Sequence, residues 1–220
     1  MSDVLYSFIR TTWNVPFLVS RNATVIGREH SATPGPFILA ASHASPYDIP
    51  LLISHTRRRI DFVTTTEACA NPVIGWFFQA MNAFPLERRR ADPATVRVLL
   101  ERLSRDRAVA IFPEGRIRSG ADAVVNGGGV VPGLGRTVLL AQVPVVPCVL
   151  VGTAVYSKPA SWLPLKRARY GIAYGEPIPP PAASDAAATR ADVKAAGAAF
   201  EEVLCSRMRD LNLRLHEAMA

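Results

Sequence analysis

A histidine and an aspartate five positions apart, His43 and Asp48 in SHASPYDIP (residues 42–50), have the types and spacing for proton transfer. A neutral imidazole takes up a proton near physiological pH. A carboxylate on one ring nitrogen fixes the tautomer that leaves the other nitrogen able to do so. On one continuous helix the two side chains would stand roughly 140° apart and could not meet. With His43 in a loop and the helix starting at Pro46, the ring can fold back over the first turn onto Asp48. Ser45-Pro46-Tyr47-Asp48 also reads as a plain helix start, with a capping Ser, Pro at the first helical position and an acid three residues after the cap. That second reading needs no histidine, so the stretch by itself leaves proton transfer and capping both open.

Three further stretches carry charge or a backbone irregularity where an anion could bind. In IFPEGRIRSG (111–120) an apolar run ends at Phe112, Pro113 stops the ladder, Glu114 and Gly115 turn the chain, and Arg116 and Arg118 follow in one loop. A glycine lets backbone N–H groups approach an anion, and each arginine can add a charge-assisted bond of about 1.5–3 kcal/mol where water is excluded. The plain alternative is an exposed basic turn. In NAFPLERRRAD (82–92) Arg88, Arg89 and Arg90 follow a short apolar run. Three consecutive arginines cannot all point one way, so one faces a site and the others are solvated. In VPVVPCVLVGT (143–153) Pro147 interrupts an apolar run, which predicts a strand edge or a bulge beside the site. Arg57, Arg58 and Arg59 read as a solvated helix end or a membrane-facing patch.

The elements that must hold these residues alternate along the chain. Strands are predicted over 37–42, 60–65, 83–87, 108–112, 145–151 and 169–174, and helices over 3–13, 47–55, 67–81, 93–105, 133–142 and 190–218. A Gly-rich loop covers 118–131 and a proline run covers 177–181. Strands alternating with helices give an α/β fold with a largely parallel central sheet flanked by helices, an N-terminal amphipathic helix and a long C-terminal helix. In such sheets ligands gather beyond the strand C-termini. His43, Arg88 and the Glu114-Gly115 turn each follow a strand, so three separate stretches meet at one end of the sheet.

Composition narrows the class. The 220 residues suffice for one domain with a sizeable core, and 49% hydrophobic with 20% charged residues excludes a disordered chain. We read 1–22 as an N-terminal amphipathic, membrane-contacting segment and 23–220 as the domain proper. Of the 25 basic residues only Lys158, Lys166 and Lys194 are lysine, so 22 are arginine, within a net charge of +7. Coding bias toward Arg, Ala, Val, Pro and Gly accounts for the total, and only clustered arginines carry weight. The charge suits an anionic membrane surface, a nucleic acid or an acidic small substrate. Nucleic acid fits least, because the arginines are not interleaved with stacking aromatics. Cys69, Cys148 and Cys205 have no paired spacing, which speaks against a zinc site or a disulfide framework and for a reducing compartment. Cys148 reads as a buried small hydrophobe. The first twenty residues lack a signal-peptide core. The uncharged stretch 137–157 is broken as a helix by Pro144 and Pro147, so no transmembrane span is expected.

Taken together, His43…Asp48, FPLER, FPEG and VPVVP resemble, in this order and spacing, the four sequence blocks of the glycerolipid acyltransferases, the family of the lysophosphatidic acid acyltransferases. The resemblance spans about residues 37–177. It implies the glycerol-3-phosphate acyltransferase-like fold and transfer of a fatty acyl group from an acyl thioester, acyl-CoA or acyl-ACP, to the free hydroxyl of a lysophospholipid. The most fitting acceptor is 1-acylglycerol 3-phosphate, with phosphatidic acid as product. It implies His43 as general base, Asp48 as its support, and Arg88, Glu114, Gly115, Arg116 and Arg118 as the acceptor's phosphate site, with Pro147 in the last block. It implies no bound cofactor or metal, no covalent acyl-enzyme, and a peripheral place on the cytoplasmic face of the membrane. The chain departs from the family pattern at Ser42, where Asn is frequent, and at Thr65, where Lys is frequent. It also has Arg116-Ile117-Arg118-Ser119 where Thr-Arg-Ser is frequent, which leaves two candidates for one arginine.

Two other classes compete. A lipid hydrolase or thioesterase would need a nucleophile, and no Gly-x-Ser-x-Gly elbow occurs in the chain. A non-catalytic membrane-binding domain would use the N-terminal helix, with Tyr6, Phe8, Ile9, Trp13, Phe17 and Leu18 in the bilayer interface and Arg10 and Arg21 near anionic headgroups. Those apolar residues suit docking on the domain's own core equally well. Trp76, Phe77 and Phe78 are candidates to line an acyl-chain tunnel.

Overall fold

The computed structural model describes residues 6–8, 10–11, 22–65, 75, 83–86, 93–156, 169–182 and 189–220. Its strands are β1 (Asn22–Ile26), β2 (Phe37–Ala41), β3 (Ile60–Thr65), β4 (Ala83–Leu86), β5 (Ala108–Ile111), β6 (Val145–Val151) and β7 (Arg169–Tyr174). They form one sheet in the order β1-β7-β6-β2-β5-β3-β4. Every neighbouring pair is parallel except β6 with β7. The helices are α1 (Asp48–His55), α2 (Pro93–Ser104), α3 (Leu134–Ala141) and α4 (Arg190–Met219). The fold is the α/β architecture with a largely parallel sheet and a long C-terminal helix that the sequence predicts.

The central strand β2, FILAA, is buried at all five positions. A continuous apolar run suits a parallel strand covered on both faces, where an alternating pattern would leave one face wet. One face packs Leu39 and Ala41 with Leu51, Leu52 and Ile53 of α1. The other packs Ile38 and Ala40 with α2, α3 and α4. On α4 the buried residues Phe200, Leu204, Met208, Leu211 and Leu215 recur every three or four positions, one stripe of a helix laid along the sheet. Thr189 and Asp192 close a capping box at its start, with Asp192 N donating to Thr189 Oγ1 (3.2 Å) and Thr189 N to Asp192 Oδ2 (2.8 Å). α3 and α4 touch backbone to backbone, since a Cβ on Gly135 would overlap the Gly197 carbonyl.

Several expectations change. The sequence reading starts the sheet at Phe37, whereas β1 adds a strand before it. β1 is a short edge strand whose pairing partner, β7, lies near the other end of the chain. Its local pattern is weak, and the long-range pairing determines it. α1 starts at Asp48 and not at Pro46, because Ser45 to Asp48 form a turn, with Asp48 N donating to Ser45 O (3.1 Å). Pro147 is not on an edge, since β6 lies between β2 and β7, but the ladder is irregular beside it: the pairing passes from Cys148↔Tyr174 to Val145↔Ile178, one residue out of step, as at a bulge. Its carbonyl accepts Gly175 N (2.8 Å), one step beyond Cys148↔Tyr174, where the antiparallel ladder ends. Within a strand residue, N and C=O point to the same side. The N–H that proline lacks would therefore face the Gly175 side as well, where the register slips and the regular ladder has already ended.

Tyr6 is fully buried and its hydroxyl accepts Ile60 N (3.3 Å), while Arg10 donates to Thr56 O (3.0 Å). Tyr6 therefore docks on the core and does not enter a bilayer; Phe8 is exposed. Ile9, Trp13, Phe17, Leu18 and Arg21 lie outside the described residues. Arg58 is no solvated helix end either. It donates to the carbonyls of Thr33 (2.9 Å), Gly35 (3.0 Å) and Asp106 (2.8 Å), pinning three loops below the sheet. Among the described residues no helix is long and apolar enough to cross a membrane.

Two charged sites in the frame yield predictions. Asp61 on β3 is fully buried, with Arg107 Nη2 at 2.6 Å and Arg102 Nη1 at 3.3 Å. Asp61→Ala leaves both guanidinium groups without this carboxylate. The expected loss is about 2–4 kcal/mol by urea denaturation, below that of a fully buried pair because both arginines are partly solvated. His55, at the end of α1, shares a hydrogen bond with Tyr170 Oη (3.0 Å), and burial, with the Arg28 charge adding, pushes it down from 6.5 to about 4. The unfolded chain thus binds a proton that the folded one refuses between these values. Stability is expected to fall as pH drops from 6.5 toward 4, a component that His55→Gln removes from the pH dependence of the melting temperature.

Candidate active site

β2 ends at Ala41, and the chain carries Ser42 and His43 off the C-terminal end of the sheet before α1 begins. His43 Nδ1 lies 2.9 Å from Asp48 Oδ2. The same oxygen accepts Ala44 N (2.7 Å) and Ser45 N (2.8 Å), so three donors converge on it in a fully buried carboxylate. A carboxylate can only accept, which assigns the Nδ1 proton to His43 and leaves Nε2 with its lone pair. Among the described residues Nε2 has no hydrogen-bond partner, and the side chain keeps 14% of its surface exposed. His43 lies in the loop, as the pairing requires, although the helix that carries Asp48 starts at Asp48 and not at Pro46. Ser45 is not the helix cap that the sequence reading makes it: the cap position falls on Tyr47, and within the turn the Ser45 amide donates to Asp48 while its hydroxyl accepts Tyr47 N (3.2 Å).

The turn after β5 grips the same histidine. Phe112 O accepts Gly115 N (2.9 Å), closing a turn through Pro113 and Glu114. Glu114 is buried; its Oε2 accepts His43 N (2.8 Å) and its Oε1 accepts Val124 N (2.7 Å). Both carboxylate oxygens therefore hold backbone. Burial pushes the Glu114 carboxyl above the usual range, while the amide bonds from Val124 and His43 and the His43 and Arg118 charges pull it down. Gly115 is required twice over, by φ +68° and by Val131 Cγ1, which a Cβ would meet at 2.7 Å. Arg118 N donates to His43 O (2.9 Å), so both backbone polar groups of His43 are held by this one segment. The Phe112 ring stacks on the imidazole, centroids 3.9 Å apart and planes at 17°.

Ser42 anchors the other side. Its amide donates to Cys148 O (3.0 Å) and its hydroxyl accepts Leu150 N (3.0 Å), replacing the carbonyl that β2 would have offered had it continued along β6. Cys148 is buried, as expected for a small hydrophobe, and burial pushes its thiol well up.

The structure thus brings His43, Asp48, Glu114, Gly115 and Arg118 together. Arg116 is exposed, whereas Arg118 is half-buried with an Nε that is buried and has no acceptor among the described residues. Pro147 is buried in β6 on the face that carries α4, against Gly175. Arg88 lies outside the described residues, as do Trp76, Phe77 and Phe78. Sequence reasoning missed the parts played by Phe112 and Ser42. The adjacency of β2 and β5, Ala40 opposite Ile111, is what makes a residue at the end of one strand touch a residue at the end of the other.

The chain is similar to known acyltransferases. A family model described as "Acyltransferase" matches residues 22–151. A 1-acyl-sn-glycerol-3-phosphate acyltransferase of Bacillus subtilis (strain 168) is 24% identical over 215 residues, covering 97% of this chain and 100% of the relative. The crystal structure of the 1-acyl-sn-glycerophosphate (LPA) acyltransferase PlsC from Thermotoga maritima superposes with a TM-score of 0.62 at 20% identity, over 93% of this chain and 79% of that one. At that identity the superposition establishes a shared fold.

Glu114→Gln tests the brace. An amide offers one accepting oxygen where the carboxylate offers two, so either His43 N–H or Val124 N–H loses its partner. Equilibrium unfolding should show a loss of about 1–3 kcal/mol. A variant as stable as the parent would mean that Glu114 does not carry the loop.

Proposed function

This chain belongs to the acyltransferase family, and we propose that it moves a fatty acyl group from an acyl thioester to the free hydroxyl of a lysophospholipid, most fittingly 1-acylglycerol 3-phosphate. The observation that carries this reading is the free Nε2 of His43, with Asp48 on the opposite ring nitrogen and a partly exposed ring edge. In the proposed reaction Nε2 takes the proton of the acceptor hydroxyl as its oxygen attacks the thioester carbonyl carbon. The tetrahedral adduct then collapses, the C–S bond breaks, and the imidazolium returns the proton to the departing thiolate. No acyl-enzyme forms. Asp48 supports the positive charge that His43 carries between the two proton transfers.

Arg118 is the candidate for the acceptor's phosphate. Its buried Nε has no acceptor among the described residues, and its own amide fixes the His43 carbonyl, so an anion held there lies close to the base. Arg116, exposed on the same loop, is an outer partner. In this reading Glu114 and Gly115 act by shaping the loop, since their polar groups already hold backbone. The name of the Bacillus relative supports the choice of acceptor. The thioester carrier, coenzyme A or an acyl carrier protein, is left to experiment. Acceptor and product both partition into a bilayer, so the reading puts the protein on the cytoplasmic membrane face as a peripheral enzyme.

The test is an acceptor screen with labelled acyl-CoA, comparing lysophosphatidic acid, glycerol 3-phosphate and uncharged lysolipids. Transfer to lysophosphatidic acid is expected. His43→Ala should lower kcat by about 10²–10⁴-fold in a protein that still folds. Arg118→Met should raise KM for the phosphorylated acceptor about tenfold or more and leave an uncharged acceptor nearly untouched. Full transfer by the His43 variant, or acyl-CoA consumption that ignores the acceptor, would sink the proposal.

A further inference from the structure

We infer that Phe112 is a positioning residue for the base, fixing the plane in which His43 Nε2 accepts its proton and cushioning the imidazolium once formed. The inference rests on the reading of His43 as general base.

The hydrogen bonds around His43 leave one freedom open. Its amide is held by Glu114, its carbonyl by Arg118 N, and Nδ1 by Asp48 Oδ2. A single bond at Nδ1 acts as a pivot, and the ring can still rock about the Nδ1···Oδ2 line. The Nε2 lone pair lies in the ring plane, so rocking swings the direction of proton transfer away from the acceptor hydroxyl. The Phe112 ring, 3.9 Å away and within 17° of parallel, blocks that motion on one side. It is itself set by the turn that its carbonyl closes with Gly115 N and by packing against the apolar cluster under α1. One short segment therefore supplies the backbone grip on His43 and the wall behind its ring.

The stack also has an electrostatic consequence. An aromatic face is negative, and a cation over it is attracted. His43 is neutral before it takes the proton and cationic afterward, so the attraction grows as the reaction proceeds. Among the described residues the charged groups near His43 are Asp48 on α1, and Glu114 and Arg118 on the loop after β5. None of them covers the ring face as Phe112 does. An aliphatic residue of similar volume would fill the space without restraining the plane or offering the quadrupole. That separates positioning from simple core filling.

The experiment compares Phe112→Leu, Phe112→Met and Phe112→Tyr with the parent and His43→Ala, in the lysophosphatidic acid and acyl-CoA assay. The Leu and Met variants should lose about 3- to 30-fold in kcat with KM for both substrates nearly unchanged. Phe112→Tyr, which keeps the ring, should stay close to the parent. Equal loss in Tyr and Leu, a change confined to KM, or full kcat in a folded Leu or Met variant would overturn the inference. In parallel, proton NMR of the parent should place the His43 ring C–H resonances upfield of those of His30 and His216, assigned by their loss in His43→Ala. An unshifted pair overturns the stack even where neither aliphatic variant folds. If His43→Ala retains full transfer, the base itself is wrong; if it is inactive while Phe112→Leu is unimpaired, only Phe112 is.

Discussion

One oxygen atom, Asp48 Oδ2, is the point on which the site turns. It accepts the imidazole N–H and two consecutive backbone amides, all within 2.9 Å. A buried carboxylate is costly, and what supports it is this set of donors together with the positive end of α1. The same bonds that solvate the charge therefore bend the chain between His43 and Asp48 into the turn that lets the pair meet. Closing of the turn and orientation of the histidine thus depend on one oxygen.

That turn would still be a loose surface loop without the strand order. β2 and β5 are neighbours, so the residues leaving their C-terminal ends are forced side by side. Glu114, leaving β5, reaches the His43 amide, and its second oxygen reaches Val124. Val124 is itself a fully buried core residue on the α4 side of the sheet. A single acid thus joins the histidine loop to the packed core through two backbone amides. Ser42, on the opposite flank, joins it to β6 through Leu150. The histidine is held by the sheet although it lies beyond it.

Much of this was legible in the residues, for reasons that differ from element to element. β3 and β6 begin and end where their apolar runs predict, since buried parallel strands write themselves as continuous β-branched stretches bounded by polar or turn residues. β1 was illegible because a short edge strand has little pattern of its own. Pro147 marked the break in the ladder but not its place in the sheet, because a proline signals a missing N–H and the strand order is decided by the whole chain. His43 and Asp48 could be paired from type and spacing, a local matter. Glu114 read as a turn residue from the chain itself and as part of the phosphate site only through the family resemblance. Its engagement with two backbone amides depends on which strands are adjacent, and that is decided by the whole chain. Arg116 and Arg118 looked equivalent in sequence and differ in the fold because only one lies where the loop turns inward.

The bond from His43 N to Glu114 spans 71 positions, and that from Leu150 N to Ser42 spans 108. The pair His43–Asp48 spans only five. Local contacts close at little entropic cost, whereas distant ones wait for the intervening chain to collapse. During synthesis the histidine and aspartate can therefore meet long before β5 and β6 emerge to brace them. A nascent chain carries a recognisable dyad in a loop with no walls, and the competent geometry arrives only when the centre of the sheet is complete. The fixed orientation of His43 is in this sense a late product of folding, withheld by topology until the domain is whole.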